Sequence, residues 1–474
     1  MTSSNPLVPE RLAGEADPTG LDPKVWPGSA RRDADGVLRI GGVRVTELAA
    51  HHGTPLYVLD ESEVRRRATT VVAAFRSAAR AAGSDATVYY AGKAFLSAAV
   101  VRWMLEAGLR IDTCTGGELA LALAAGAPGA ALGLHGNNKS DDELEAAVAA
   151  GLGAIVLDSA AEADRVADVA ARLGRTQRVR LRVNSGVHAS THEYLATARE
   201  DQKFGVALAD VPAAVARIRR RPELQLLGLH SHIGSQIFGS DGFAEAARRL
   251  LAVHRDLLEG GPVPELNLGG GFGIAYTSAD DPADLDDLAE RIVATVAAVC
   301  AELGIPVPHL AVEPGRSIVG PAGVTLYTAG ATKDVEVQAG AGSGIRRYVA
   351  VDGGMSDNAR TALYGADYTV RLASRASEAE PVLVRVVGKH CESGDVVVRE
   401  DLLPADVGAG DLLAVPATGA YHHSLASNYN LVTRPAVVAV DDGAATVLIR
   451  RETLAELLGR DTGLEQPILE GARR

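Results

Sequence analysis

Short apolar runs and longer segments of mixed polarity alternate along most of the first two thirds of the chain. The runs are TVYYAGK (87–93), RIDTCTG (110–116), ALGLHG (131–136), AIVLDS (154–159), RVRLRVN (178–184), LLGLHSHIG (226–234), ELNLGGGFG (265–273) and HLAVEPGR (309–316). Between them stand segments such as DDELEAAVAAG (141–151) and AAEADRVADVAARLG (160–174). Their apolar residues return at helical spacing, and both end in glycine, a common helix stop. Strand followed by helix eight times over is the arithmetic of a (β/α)8 barrel, expected over residues 61–317. An open doubly wound sheet is the competing fold, but it rarely needs eight regular units.

Beyond Arg316 the pattern changes. GVTLYTAGATKDVEV, RRYVAVDGG, PVLVRVVGKHC, DLLAVPATGAY, RPAVVAV and ATVLIRRET are strand-like and parted by Gly, Asp and Pro turns. They predict an all-β domain over 318–474, a sandwich or barrel-like sheet, with a short terminal helix at ETLAELLGR. LRIGGVRVTELAAHHGTPLYVLD (38–60) also carries strand-like runs, so residues 36–60 are expected to join that β domain, with the barrel inserted into it. Residues 1–35, rich in Pro, Gly and Asp, read as a flexible arm. The fold class is therefore an α/β barrel plus an all-β domain.

Composition narrows the class of function. Hydrophobic residues make up 47% and charged residues 23%, which suits a globular protein with a large core. A net charge of -13 argues against a nucleic-acid partner. The three cysteines, Cys114, Cys300 and Cys391, write neither a disulfide framework nor a CxxC site, which suits a cytoplasmic location. No apolar run reaches the length of a membrane span, and no signal pattern opens the chain.

In a barrel of this kind the C-terminal strand ends face one cavity. Lys93 stands where the first strand gives way to helix: either a surface charge or a nucleophilic amine. Strand six ends in His230, His232 and Ser235, strand seven runs into GGGFG (269–273), and strand eight into Glu313-Pro314-Gly315-Arg316. The glycines line up backbone N–H groups that suit a phosphate, or simply form a turn. An amine, a phosphate cradle and a carboxylate together suggest pyridoxal phosphate. Its aldehyde needs an amine (Lys93), its phosphate needs donors, and its ring nitrogen needs an acid partner (Glu313), while His232 suits stacking on the ring. His230-Ser231-His232 also has the HxH spacing of metal hydrolases. The later strands lack the further histidines and aspartate such a site needs, so no metal is expected.

YAGKAFL, HIGSQ, GGGFG, EPGR, CESGD and GAYHHSLASNYN, with HGNNKS (135–140) and THEYLATAREDQKFG (191–205), together resemble the pyridoxal-phosphate-dependent decarboxylases of alanine-racemase-like fold. The nearest likeness is to the branch that acts on diaminopimelate, and it runs from about residue 35 onward. The resemblance implies Lys93 as the Schiff-base residue. It implies a cofactor site built from His232, Ser235, Gly270, Gly271, Gly273, Glu313, Gly315, Arg316 and Tyr421. It also implies Cys391 as a proton donor from a neighbouring subunit, hence a homodimer with shared active sites. His422 and His423 stand where relatives often have a small residue.

The substrate can be argued physically beside the resemblance. Diaminopimelate carries an amino-acid group at each end, so the end that does not react needs partners of both signs. Arg316 and Arg360, with Tyr364 and Tyr421, suit its carboxylate, and Glu392 suits its ammonium. The expected reaction is decarboxylation of meso-2,6-diaminopimelate to L-lysine. A decarboxylase of arginine or ornithine is the alternative on the same fold. A racemase with Tyr421 as base, a non-enzymatic carrier of the cofactor and a metal hydrolase are the remaining rivals.

Overall fold

The eight apolar runs become eight parallel strands: Ala86–Ala91, Arg110–Thr113, Leu132–Leu134, Ala154–Leu157, Gln177–Asn184, Leu224–His230, Glu265–Asn267 and His309–Val312. The last strand closes on the first, with Leu310 beside Ala86 and Val312 beside Val88, so the sheet is a closed barrel. The computed structural model describes residues 5–13, 17–187, 203–340 and 342–464. Of THEYLATAREDQKFG, residues 191–202 lie outside the described residues. The chain divides into two compact units, one of Arg65–Gly273 with Pro282–Ile318, the other of Met1–Val64, Ile274–Asp281 and Val319–Arg474. Among the described residues no helix is long and apolar enough to cross a membrane.

Local chemistry turns each early barrel strand into its helix. Ser97, Thr115, Ser140 and Ser159 are helix N-caps, accepting from the backbone N–H of Val100, Glu118, Glu143 and Glu162. Each satisfies one of the donors a helix start leaves orphaned, worth about 1 kcal/mol. Because the cap comes within a few residues of the strand end, the residues between, such as Lys93 and His135, are held on a short rim loop. The barrel interior is not wholly apolar. Arg180, fully buried, pairs with Glu265 and donates to the Tyr89 hydroxyl at 2.6 Å, with its guanidinium 4.7 Å from the Tyr89 ring centre. The Glu265 carboxylate and the Tyr89 hydroxyl offset most of the cost of burying this charge.

In the other unit the strands run in the order Val396–Pro404, Pro381–Val387, Gly342–Val351, Gly323–Ala339, Leu56–Asp60, Ala436–Asp441 and Ala444–Ile449. Leu56–Asp60 lies between strands from beyond the barrel, antiparallel to one and parallel to the other. Only this part of the 38–60 segment enters the large sheet. Leu38–Ile40 and Val43–Arg44 instead make a small sheet with Arg31–Arg32. Leu412–Pro416 joins the long strand Gly323–Ala339, and a capped helix, Leu454–Leu458, follows the sheet.

The leading segment corrects its reading as a loose arm. Val25 and Trp26 are buried in the core of this unit, and Leu12 packs with Leu383 and Leu402. Arg32 donates to the Leu372 carbonyl and Arg371 to that of Gly20, both at 2.9 Å. Three apolar anchors and two arginines tie down a stretch whose average composition resembles a linker.

Candidate active site

Lys93 occupies a single 3-10 turn, Gly92–Ala94, directly after the first barrel strand. Gly92 and Ala94 are buried on either side while Lys93 is exposed, so the packing of its neighbours presents the amine outward. His232 follows the sixth strand. Burial first, then the positive charge of Lys93, hold its imidazole down at about 3. Its Nδ1 accepts the Gly270 N–H at 3.3 Å, so the ring is neutral and fixed in tautomer.

Glu313, just beyond the last strand, is the charged centre of the barrel end. Asn267 Nδ2 donates to it at 2.8 Å, and His230 Nε2 lies 3.1 and 3.2 Å from its two oxygens. Burial alone would raise this carboxyl, but the neighbouring His230 and His135 outweigh it and hold it well below the usual carboxylate range. Asp112, buried in the second strand, is shifted the other way. Burial first, then the charge of Glu313, push it well above its ordinary value. His135 Nε2 lies 3.3 Å from Asp112 Oδ1 and 3.4 Å from Glu313 Oε1, and burial keeps this imidazole down at about 4. The two carboxyls are thus shifted in opposite directions, Asp112 up and Glu313 down.

The glycine loop divides its labour. Gly269 N–H bonds Asn267 Oδ1, which ties the loop to Glu313. The Gly270 amide is taken by His232, and the Gly273 amide by the Ile237 carbonyl. Gly271, at φ 107, has a conformation that side chains disfavour. Among the described residues its amide meets no acceptor, and neither does that of buried Gly315. A Cβ on Gly315 would come 3.0 Å from that of Ala91 and 3.1 Å from that of Ala94, so a side chain there would crowd the Lys93 turn. Arg316 donates to the Ser235 hydroxyl at 2.7 Å. Lys93, His232, Ser235, Gly270, Gly271, Gly273, Glu313, Gly315 and Arg316 thus all belong to the barrel unit.

The remaining candidates belong to the β unit. Arg360 is buried, donates to the Tyr368 hydroxyl at 2.8 Å, and lies 5.0 Å from the Tyr276 ring centre and 5.8 Å from those of Tyr364 and Tyr421. Tyr364 is 68% exposed. His422 is buried edge-on against Tyr368, so it supports the residue that holds Arg360, while His423 meets Tyr57. Cys391 and Glu392 stand on an exposed turn. Asp395 anchors that turn by accepting from the backbone of His390 and Met355, and the His390 ring bonds Ser356 and Asn430.

Sequence reasoning missed Asp112, His135, Asn267 and Arg180. Asp112, Asn267 and Arg180 are polar residues within apolar strands, and His135 opens HGNNKS; those were the available signals. His135, His230 and Glu313 do offer ligand atoms within 4.8 Å of one another. His232 is outside that group and faces Gly270 instead, so His230 and His232 do not act as the paired ligands of an HxH metal motif.

Residues 68–320 match the family profile described as pyridoxal-dependent decarboxylase, pyridoxal binding domain. The chain is 52% identical over 446 residues to a diaminopimelate decarboxylase of Mycobacterium tuberculosis (strain ATCC 25618 / H37Rv), covering 92% of this chain and 98% of that one. It is 43% identical over 447 residues to the Bacillus subtilis (strain 168) diaminopimelate decarboxylase, with 93% and 99% covered. Among solved structures, a diaminopimelate decarboxylase of M. jannaschii in complex with L-lysine matches with a TM-score of 0.85 at 31% identity, covering 94% of this chain and 99% of that one.

Proposed function

The chain belongs to the diaminopimelate decarboxylases, a branch of the pyridoxal-dependent decarboxylases, and from that premise we propose how its residues divide the work. It is an enzyme that decarboxylates meso-2,6-diaminopimelate to L-lysine and CO2. The cofactor we assign is pyridoxal 5'-phosphate. The residues fit it: an outward amine at Lys93, two amides without acceptors at Gly271 and Gly315, and an ionised Glu313. When bound, the cofactor supplies the sink for the electron pair left by departing CO2.

Lys93 would hold the cofactor by its aldehyde, its exposed amine being available for that bond. Glu313 holds a proton on the ring nitrogen, and its anionic state supports that role. His232, neutral at working pH, offers a flat face without adding a second positive charge beside Lys93. Gly271, Gly315 and Ser235 donate to the phosphate, with Arg316 orienting the Ser235 hydroxyl. Tyr421 contacts cofactor and substrate. Arg360, fixed by Tyr368, pairs with the distal carboxylate beside Tyr364, and Glu392 with the distal ammonium. Cys391 or Lys93 returns a proton to the carbon that lost CO2.

Cys391 acts from a second copy of the chain. Its exposure on the anchored turn, beside the exposed Glu392, supports a homodimer with shared sites. A catalytically active monomer by light scattering would contradict this. All three thiols are free, which suits a cytoplasmic enzyme.

The observation that carries this reading is the barrel-end set of Lys93, neutral His232 and ionised Glu313 in a chain that covers 98% of a named relative. The test is CO2 and lysine release from meso-diaminopimelate with added pyridoxal 5'-phosphate. Silence there, with turnover of L-arginine or L-ornithine, would overturn the substrate assignment.

A further inference from the structure

Asp112, His135, His230 and Glu313 meet at the end of the barrel, and hydrogen bonds account for only part of them. His230 Nε2 lies 3.1 Å from Glu313 Oε1, while His135 Nε2 lies 3.4 Å from the same oxygen and 3.3 Å from Asp112 Oδ1. His135 Nε2 and both Asp112 oxygens are buried, and none of them has a hydrogen-bond partner among the described residues. Buried polar atoms without partners are costly. A cation is one ligand that two imidazoles and two carboxylates could all serve.

The spacing suits a particular cation. Ligand atoms about 2.0–2.2 Å from a tetrahedral zinc ion stand roughly 3.3–3.5 Å from one another. His135 Nε2, His230 Nε2 and Glu313 Oε1 all lie within 4.8 Å of one another, and both nitrogen-to-oxygen edges already fall near the tetrahedral value. Asp112 Oδ1, beside His135, is a candidate for the fourth position. Two imidazoles with a carboxylate suit zinc better than calcium or magnesium, which take oxygen ligands.

We propose that the cofactor-free protein binds one zinc ion through His135, His230 and Glu313, and that this ion excludes pyridoxal 5'-phosphate. The exclusion rests on the role given to Glu313 above. A carboxylate that ligates zinc cannot also hold a proton on the ring nitrogen, and the protonated ring would meet a divalent cation. The site is then a brake on cofactor loading that a chelator releases. Binding replaces the hydrogen bond between His230 and Glu313 and moves the His230 proton to Nδ1, a buried atom without a partner. That cost makes the expected affinity roughly micromolar, weaker than a closed structural zinc site.

The test titrates chelator-treated, cofactor-free protein with zinc chloride in competition with a chromophoric indicator. One zinc per chain should bind. His135→Ala should weaken it about tenfold or more, whereas Cys114→Ser/Cys391→Ser, which removes the two exposed thiols, should leave it unchanged. X-ray absorption of the wild-type complex needs no variant and should show imidazole nitrogen and no sulfur on the metal. Cofactor loading, followed by visible absorbance, should be blocked or slowed by one equivalent of zinc and restored by EDTA. The absence of stoichiometric zinc, sulfur ligation, or a folded His135→Ala that binds zinc as wild type does each overturns the site. Loading that proceeds unhindered with zinc still bound overturns the exclusion and counts against the role of Glu313. If zinc-free protein failed to take up pyridoxal 5'-phosphate, the cofactor reading and the exclusion would fall together, while the zinc titration, which needs no cofactor, would still decide the metal site.

Discussion

Lys139→Met tests whether the HGNNKS loop is held by a buried ion pair. Lys139 Nζ donates to the carbonyls of Gly136 at 2.6 Å and Val156 at 2.7 Å, and to Glu162 Oε1 at 3.0 Å. The two side chains are only 1% and 6% exposed. Methionine keeps most of the lysine volume, so the loss is chiefly electrostatic: Glu162 retains the Asp158 N–H at 2.8 Å but no counter-charge. Breaking a buried pair from one side costs about 3–5 kcal/mol. At about 2–4 °C per kcal/mol for a unit of this size, the melting midpoint should fall by roughly 6–20 °C. Arg172→Met is the matched control, because Arg172 and Glu145 pair at 3.4 Å with 59% and 52% of their side chains exposed. Such a surface pair is worth about 0–1 kcal/mol. Thermal unfolding by far-ultraviolet circular dichroism, at one protein concentration, compares them directly. The double variant Lys139→Met/Glu162→Gln should melt above Lys139→Met, since it deletes the stranded carboxylate. If Lys139→Met melts with the Arg172→Met control, the buried pair does not hold this loop, and the reasoning fails.

Three further outcomes follow from the site and its surroundings. Lys93→Ala should abolish the visible absorbance of the bound cofactor, and a normal spectrum in that variant would refute the amine assignment. His254 is buried and its imidazole is held down at about 4 by burial, below its ordinary 6.5. The unfolded chain therefore binds a proton first as pH falls, so this group contributes full stability above about 6.5 and removes about 2 kcal/mol by pH 5. His254→Leu should flatten the loss between pH 7 and 5 in urea unfolding, and an unchanged slope would exclude His254 as a source. Glu392→Gln should weaken diaminopimelate binding by about 1.5–3 kcal/mol, the range for a hydrogen bond to a charged group. An unchanged KM would remove Glu392 from the substrate's surroundings.

The barrel was legible because parallel strands are buried on both faces, and such strands show up as short apolar runs bounded by turn signals. Lys93 and Glu313 were legible for a related reason: a charge that immediately follows a buried run stands at a strand end, where a barrel gathers its chemistry. The leading segment misled because disorder was inferred from average composition. Leu12, Val25 and Trp26 are too few to move an average, yet they anchor the segment in the core. The glycine loop was legible as a candidate phosphate cradle but not in detail. Which of its amides are already spent on His232 and Ile237 depends on loops from another strand.

Asp112, Asn267 and Arg180 explain why the inner part of the site stayed hidden. Each is a polar residue inside an otherwise apolar strand, and burial without partners would be costly for all three. Their surroundings come from other strand ends: Asp112 and Glu313 share His135 Nε2 at 3.3 and 3.4 Å, Asn267 bridges Glu313 and the glycine loop, and Arg180 meets Glu265 and Tyr89. A polar residue in a buried strand therefore signals a partner without naming it. Barrel closure supplies the name, because it sets the last strand beside the first and carries Glu313 to the strand that follows with Asp112. The ionisation of Glu313, on which the proposed chemistry depends, is thus a property of neighbouring strand ends rather than of the EPGR motif.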